Sequence, residues 1–363
     1  MATPIKIKKG EIVEYLEKMK PEIDRIIENY LPKKVNKKWL EFTFGKPHYL
    51  FSQKAAQKAL LDPSWDFLSR GGKRWRPVLF LLIAEAIGGD IKKVKDFVVI
   101  PEIIHNGTII VDDLEDNSEM RRGKPCLHKI FGVDIAINVG NFLYFFPLLA
   151  LIKNKSNFKP KVLIKAYETY IQELINLGFG QGTDIYWHKG NVKEIDEKEY
   201  LQMCAFKTGC LSRMAAKLAV ILSGGSDELA EKVGRVAESM GVAFQIQDDI
   251  LNLTGEDFSL KKGGLGEDIS EGKRSLLVIY TFKKSNKKDK ERLIEILNLH
   301  TTNQNLRDEA IKIIKKCGSI EYAKKAAKNI VKSSWQEAEK LLPESKAKKR
   351  LKEFINYLIE REV

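Results

Sequence analysis

Apolar residues recur three and four positions apart through most of the 363-residue chain. That spacing marks one face of an α-helix. The stretch "PVLFLLIAEAIGG" (Pro77 to Gly89) opens on a first-turn proline and closes on glycine, which predicts a helix with both boundary residues in place. The same period runs through "PKVLIKAYETYIQELINLGFGQG", "DELAEKVGRVAESMGVAFQIQDDILNLTG" and "SIEYAKKAAKNIVKSSWQEAEKLL". No stretch alternates with the period of a strand. The expected fold class is all-α, a single large helical bundle. Three stretches interrupt the pattern and are expected as loops: Gly178 to Asp196, Thr254 to Arg274, and the lysine run Lys283 to Arg292. Residues 1–50 are polar, include the irregular "LEFTFGKPHYLFSQ", and are expected as a helical N-terminal extension of unreadable role. Residues 51–363 are expected to form the helical domain.

Charge and cysteine content narrow the setting. Lys and Arg outnumber Asp and Glu by 62 to 49, a formal net charge of +13. A basic surface suits nucleic acid, an anionic membrane or phosphorylated small molecules. The four cysteines, Cys126, Cys204, Cys210 and Cys317, have neither a CxxC pair nor zinc spacing, which fits reduced thiols. The opening "MATPIKIKKG" has no apolar signal core, and the expected location is the cytoplasm. The most membrane-like run, Phe142 to Ile152, is shorter than a span and is expected as a buried helix.

One segment carries the chemistry. In "HNGTIIVDDLEDNSEMRRGKP" (His105 to Pro125) an apolar helical face meets Asp112, Asp113, Glu115 and Asp116, then turns basic at Arg121 and Arg122. Like charges on one helical face are destabilising unless a cation sits against them. A second acid pair, Asp248 and Asp249 in "FQIQDDILNLTG", also follows an apolar seam. Two helices presenting carboxylates across a cavity suit Mg²⁺, which keeps waters and binds substrate phosphates. Basic groups recur at Lys73 and Arg76 in "RGGKRWRP", at Arg121 and Arg122, and at Lys207 beside Thr208 in "KTG". His105 lies two helical turns before Asp112. Arginine offers a planar fork and lysine a point charge to phosphate oxygens. Together they suggest two diphosphates, one bridged to the acids by metal and one held by bases alone.

The order and combination of "GGKRWRP", "HNGTIIVDDLEDNSEMRRGKP", "KTG", "FQIQDDILN", "GEDISEGKRS" and "GSIEYAKKAA" resemble the trans-isoprenyl diphosphate synthases of the polyprenyl synthetase family, over Trp65 to Arg361. The resemblance is closest to the geranylgeranyl diphosphate synthases. It implies helices around a deep central cavity and a homodimer. It implies head-to-tail condensation of isopentenyl diphosphate with an allylic prenyl diphosphate, with three Mg²⁺ ions when substrate is bound. Asp112, Asp113 and Asp116 would bind Mg²⁺ and the allylic diphosphate, and Asp248 and Asp249 a further Mg²⁺. Arg121, Lys207 and Lys273 would contact the allylic diphosphate. Lys73, Arg76, His105 and Arg122 would grip isopentenyl diphosphate, and Thr208 and Gln245 would line the reacting centre. Asp268 would lie in a closing loop, for which Thr254 to Arg274 is the candidate. Two departures stand out. Asn252 occupies the last place of the second acid motif, as in eukaryotic-type geranylgeranyl synthases. The loop lysine is displaced, leaving Lys261 or Lys262 as substitutes.

Product length is expected to follow from residues down the helix from Asp112. The fifth position before it, Gly107, lies about 7–8 Å down, followed in sequence by Thr108, and Ile104 lies about 12 Å down. Small residues there leave the pocket open, with Ile104, Tyr144, Phe145 and Phe146 as floor candidates. The expectation is a twenty-carbon product, with farnesylgeranyl or hexaprenyl lengths next. A non-catalytic subunit of a heteromeric prenyltransferase is opposed by the intact acids. A terpene cyclase has no need of an isopentenyl site. Nucleic acid is not an expected partner, because the bases alternate with acids and no DNA-reading motif appears. No transmembrane segment is expected, which leaves peripheral contact as the membrane option.

Overall fold

The computed structural model describes residues 11–192, 194–255 and 265–360. Its principal helices are α1 (Glu11–Tyr30), α2 (Trp75–Ala86), α3 (Val99–Glu115), α4 (Val133–Phe145), α5 (Pro160–Tyr186), α6 (Glu197–Cys204), α7 (Cys210–Leu222), α8 (Asp227–Thr254), α9 (Leu276–Lys284), α10 (Ser319–Ala338) and α11 (Lys346–Glu360). The all-α expectation holds. The helices pack α3 on α4, α5 on α7, α7 on α2 and α8, and α8 on α10. Helix α7 sits at the centre: Leu211, Met214, Ala215, Ala216, Leu218 and Ala219 are all buried. Helix α1 places Ile23, Ile26, Ile27 and Tyr30 in the same apolar core and packs against α2, α3 and α11.

The predicted helix at Pro77–Gly89 is α2, and Gly88 turns the chain out of it with φ 77°. Two expected loops are helical. Gly178 to Asp196 instead continues α5 to Tyr186, followed by a wide helical turn at Trp187–Asn191. One of its glycines is a packing residue: a Cβ on Gly180 would run into the backbone of Phe206 and Lys207, whereas Gly178 and Gly182 face open space. The lysine run Lys283 to Arg292 is two helix ends. Helix α9 closes at Lys284, and Asn286 caps a new helix, Lys287–Asn298, by accepting from the Asp289 N–H. Of the third expected loop, Gly255, Leu265 and Gly266 are non-helical, Glu267–Ser270 is a helical turn, and Lys261 and Lys262 lie outside the described residues.

One feature has no period-two signal at all. Met120–Arg121 pairs antiparallel with Lys124–Pro125 across the two-residue turn Arg122–Gly123, both at positive φ. That is the conformation of the commonest tight hairpin, and Gly123 accommodates it freely. Arg122, at φ 55°, does so at a steric cost, which is a mark of functional positions.

The run Phe142 to Ile152 belongs to a longer segment than expected. Among the described residues, Val133–Lys153 is the one stretch long and apolar enough to cross a membrane by length and composition, and half of it is buried in the bundle. Helices α3 and α4 run antiparallel and touch closely. A Cβ on Gly107 would lie 2.9 Å from Leu143 Cβ and 3.2 Å from Tyr144 Cδ1, and a Cβ on Gly140 would meet Val111.

Candidate active site

The acids of α3 occupy its last turn. Asn117 ends the helix in the left-handed region, and the Ser118 N–H donates to the Asp113 carbonyl at 2.9 Å. This closure leaves Asp112, Asp113 and Asp116 at the negative end of the helix dipole, the least favourable place for carboxylates. Cations from three other elements answer them.

Lys207 comes from a wide helical turn, Ala205–Gly209, that links α6 to α7. Such turns recur at functional sites because they re-aim a side chain. Its Nζ lies 3.0 Å from Asp112 Oδ1 and 2.5 Å from Asp184 Oδ2. Gln181 Nε2 also donates to Asp112 Oδ1, at 3.0 Å. Arg121, held by the hairpin, donates from Nε to Asp113 Oδ1 at 2.5 Å and stands 3.9 Å from Asp112. Lys273 lies 3.4 Å from Asp116 and 3.8 Å from Asp268, and pairs with Glu271.

The acids are unequal. Burial works to raise the Asp112 carboxyl, but Lys207, Lys273 and Arg121 outweigh it and hold it well below the usual carboxylate range. Burial pushes Asp116 up to about 6 against the pull of Lys273. Both Asp116 oxygens and Asp113 Oδ2 are buried without a hydrogen-bond partner. Buried carboxylate oxygens that accept no hydrogen bond are costly, a cost that a cationic ligand would relieve.

Helix α8 supplies the facing acids. Asp249 is buried. It accepts from Tyr200 Oη at 2.8 Å and from Gln245 Nε2 at 2.9 Å. Burial, then the Asp268 carboxylate, raise it to about 7. Thr208 Oγ1 donates to Gln245 Oε1 at 2.8 Å, so Thr208, Gln245 and Asp249 form one chain of hydrogen bonds. Asp248 is half-buried, and its charge reaches Arg76. Asn252 has a different duty from the acids before it. Its side-chain oxygen accepts from the Asp268 N–H at 3.2 Å, and its carbonyl from the Gly266 N–H at 2.9 Å, which ties down the turn carrying Asp268.

A second cluster is basic. Arg76 is buried, its Nε has no hydrogen-bond partner, and burial pulls its guanidinium down to about 10. Arg122 is pulled to about 10 by the same cause; it donates to the Gly71 carbonyl at 2.9 Å and to Asn106 Oδ1 at 3.1 Å. Burial, then Arg76, Arg122, Arg74 and Arg121, press His105 well below its ordinary value, so its ring is neutral. Lys73 is exposed in the loop before α2. Arg74 does not face the cluster as a free cation. It is pinned by Asp24 of α1 at 2.7 Å and by buried Glu102 of α3 at 2.8 Å, and it donates to the Leu68 carbonyl. Glu102 also accepts from Asn106, so one network fixes α1, the loop before α2, α3 and the hairpin.

The sequence reading did not single out Gln181, Asp184, Tyr200, Arg74, Glu102 or Glu271. Gln181 and Asp184 fell in the supposed loop, and their places one helical turn or less apart on α5 were the available signal. The floor candidates divide. Phe145 is a correction: it is 65% exposed and points away from the bundle, because the helix turn that buries Leu143 turns Phe145 outward. Ile104 is fully buried, and Phe146 packs against Phe142 and Trp39. Tyr144 lies against Gly107, and burial, then the charges of Glu115 and Asp112, raise its phenol above the ordinary range. It therefore stands on α4 beside the turn of α3 that lies below the first acid motif. Thr108 turns its hydroxyl back to the His105 carbonyl.

Metal would have to be completed by substrate here. Among the described residues no three carboxylate, histidine or cysteine side chains form a ready-made cage. Oxygen donors held open in this way suit Mg²⁺ shared with phosphates.

Comparison with known proteins agrees with this geometry. The polyprenyl synthetase family profile matches residues 57–314. The chain is 33% identical over 305 residues to the short chain isoprenyl diphosphate synthase of Methanothermobacter thermautotrophicus, covering 84% of this chain and 91% of that one. The crystal structure of geranylgeranyl pyrophosphate synthetase from Pyrococcus horikoshii superposes with a TM-score of 0.82 at 30% identity, over 97% of this chain and 99% of that one. The polyprenyl synthase of Caulobacter crescentus, solved with calcium and isoprenyl diphosphate, shares the fold with a TM-score of 0.80 at 21% identity, over 98% of this chain and 99% of that one. The chain belongs to the polyprenyl synthetase family and is a prenyltransferase.

Proposed function

We propose that the chain joins isopentenyl diphosphate head-to-tail to an allylic prenyl diphosphate, with geranylgeranyl diphosphate as the main product. The observation that carries this is the pair of unequal clusters. Arg76 is buried and Arg122 half-buried, and neither forms an ion pair among the described residues, while Asp113 and Asp116 keep buried oxygens that accept no hydrogen bond. The first asks for an anion and the second for a cation, as two diphosphates of which only one is metal-bridged would supply.

Asp112, Asp113, Asp116, Asp248 and Asp249 are the residues that would hold Mg²⁺, with three ions when both substrates are bound. Bound there, Mg²⁺ would supply Lewis-acid neutralisation of the charge that develops on the allylic diphosphate. Arg121, Lys207 and Lys273 add fixed positive charge to the same leaving group. Arg76, Arg122, His105 and Lys73 hold isopentenyl diphosphate; a neutral His105 donates one N–H rather than a charge. The allylic C–O bond breaks with its electron pair on the diphosphate. The isopentenyl double bond forms the new C–C bond, and a proton then leaves to the departed diphosphate. Thr208 and Gln245 keep ordered dipoles beside the reacting carbons. The bundle excludes water that would quench the cation.

Tyr144, Ile104 and Phe146 set the depth available to the growing chain. The assembly is a homodimer. Helix α5 leaves Ile164, Ile171, Ile175 and Phe179 exposed along one face, beside a groove of about 500 Å³ between Ile175 and Tyr186, on the side of the helix turned away from Gln181 and Asp184. An apolar helix face of that length suits a second copy.

The test is incubation of the purified protein with Mg²⁺, labelled isopentenyl diphosphate and, separately, dimethylallyl, geranyl or farnesyl diphosphate. Dephosphorylated products are sized by chromatography. The expected result is Mg²⁺-dependent label in a twenty-carbon alcohol. No incorporation from any primer would refute the activity, and mainly longer alcohols would refute the product length.

A further inference from the structure

Five exposed large apolar side chains, including the two most exposed among the described residues, fall within ten residues. Leu50 is fully exposed and Tyr49 81% exposed, and Phe42, Phe44 and Phe51 stand out beside them. Phe44 and Phe51 pack together with ring centroids 5.1 Å apart, so the two ends of the turn are held and its tip, Lys46 to Leu50, projects. Between Leu31 and Lys58 the chain carries seven lysines, all exposed, against one acid, Glu41. Lys34, Lys38, Lys46 and Lys54 form no ion pair among the described residues.

The patch has a definite place. The helix Lys37–Phe44 docks Trp39 on Phe146, and Lys153 lies 4.9 Å from the Phe42 ring. Since α3 and α4 run antiparallel, with Gly107 opposite Leu143 and Tyr144, Phe146 lies at the end of the bundle away from Asp112. An aromatic and aliphatic tip with a lysine rim is the composition that seats at a bilayer interface. The rings enter the headgroup layer while the lysines meet anionic lipid. A solvated loop would not need four exposed rings and a leucine.

We propose that the Phe42–Phe51 turn and its lysine rim dock this protein on an anionic membrane surface, with the tail end of the bundle against the lipid. The lipophilic product of the reaction proposed above would then emerge where it partitions, and that consequence alone rests on the proposed function.

Flotation of the whole protein with vesicles of phosphatidylcholine containing about one-third phosphatidylglycerol tests it without turnover, so the docking and the chemistry fail independently. Binding is expected to the anionic vesicles, to fall steeply with added salt, and to be absent with phosphatidylcholine alone. Replacing Lys38, Lys46 and Lys54 together by Gln should weaken binding on the order of a hundredfold, at about fivefold per lysine. Tyr49→Ser/Leu50→Ser/Phe51→Ser should weaken it at least about tenfold. Wild type that fails to bind anionic vesicles, or variants that bind as well as wild type, would overturn the proposal. So would a change in the mass of the assembly in the triple-serine variant by sedimentation velocity, which would mark the patch as a contact with a second copy.

Discussion

Gly180 offers a sharp test of how the site is held. It sits within α5, facing the wide turn that carries Lys207. An alanine Cβ would come to 2.6 Å from Phe206 C and 2.8 Å from Lys207 Cα, both backbone atoms, where ordinary contact begins at 3.4 Å. The Lys207 backbone N lies closer still, so the two segments must part by about 1 Å, and no flexible side chain can yield in their place. Overpacking of this kind costs about 1–3 kcal/mol of stability. The larger consequence falls on Lys207, which spans Asp112 and Asp184 at 3.0 and 2.5 Å. Misplacement approaching 1 Å costs catalysis on the order of a hundredfold. Gly180→Ala is therefore expected to lower kcat/KM for the allylic substrate by about 10- to 100-fold, measured by incorporation of labelled isopentenyl diphosphate, and to lower the midpoint of thermal unfolding. Gly178→Ala, on the outer face with nothing within 4 Å, controls for the substitution itself. Within the subunit it gains up to about 1 kcal/mol of helix stability and, where sedimentation velocity shows the assembly on that face of α5 intact, leaves turnover unchanged. Wild-type turnover and stability in Gly180→Ala would refute the claim that α5 positions Lys207.

Two further predictions concern the buried acid of α8 and the chain floor. Asp249, raised to about 7 in the folded protein, takes up a proton on folding below that value, so its burial penalty is present above pH 7 and relieved as pH falls towards the unfolded value near 3.8. Asp249→Asn removes the penalty, so the stability gained by the metal-free variant over wild type should shrink by about 2–3 kcal/mol between pH 8 and pH 5, read by urea unfolding; a pH-independent difference would contradict the assignment. Tyr144→Ala should shift products beyond twenty carbons, whereas Phe145→Ala, altering a side chain that is 65% exposed, should leave the product distribution unchanged; the opposite pattern would place the floor elsewhere.

The helical class was legible because the long helices keep strict apolar faces, and the acid and lysine motifs were legible because their side chains are short-range features of one element each. What escaped depended on partners far along the chain. Gly178, Gly180 and Gly182 looked like a flexible loop, since a glycine needed for close packing on Phe206 and Lys207 has the same letter as one needed for a turn. The lysine run at 283–292 hid a cap at Asn286, because solvent-facing first and last turns carry the same composition as loops. The Arg122–Gly123 hairpin is only two residues deep on each side, too short for any alternation to register. Arg74 was indistinguishable from Arg76 in "GGKRWRP". Only the packed structure shows that Asp24 and Glu102 neutralise the first, leaving the second buried without a carboxylate partner. Asn252 read as a weakened metal ligand, whereas its amide oxygen fastens the turn of Asp268.

The central claim is a division of labour between an acid cluster for the allylic diphosphate and an arginine cluster for isopentenyl diphosphate. The most direct measurement is the KM for each substrate in Arg76→Met, which keeps much of the apolar stem and removes the charge. The KM for isopentenyl diphosphate should rise at least about tenfold, while that for the allylic primer stays within about twofold. Equal rises in both, or a rise in the allylic KM alone, would contradict the division.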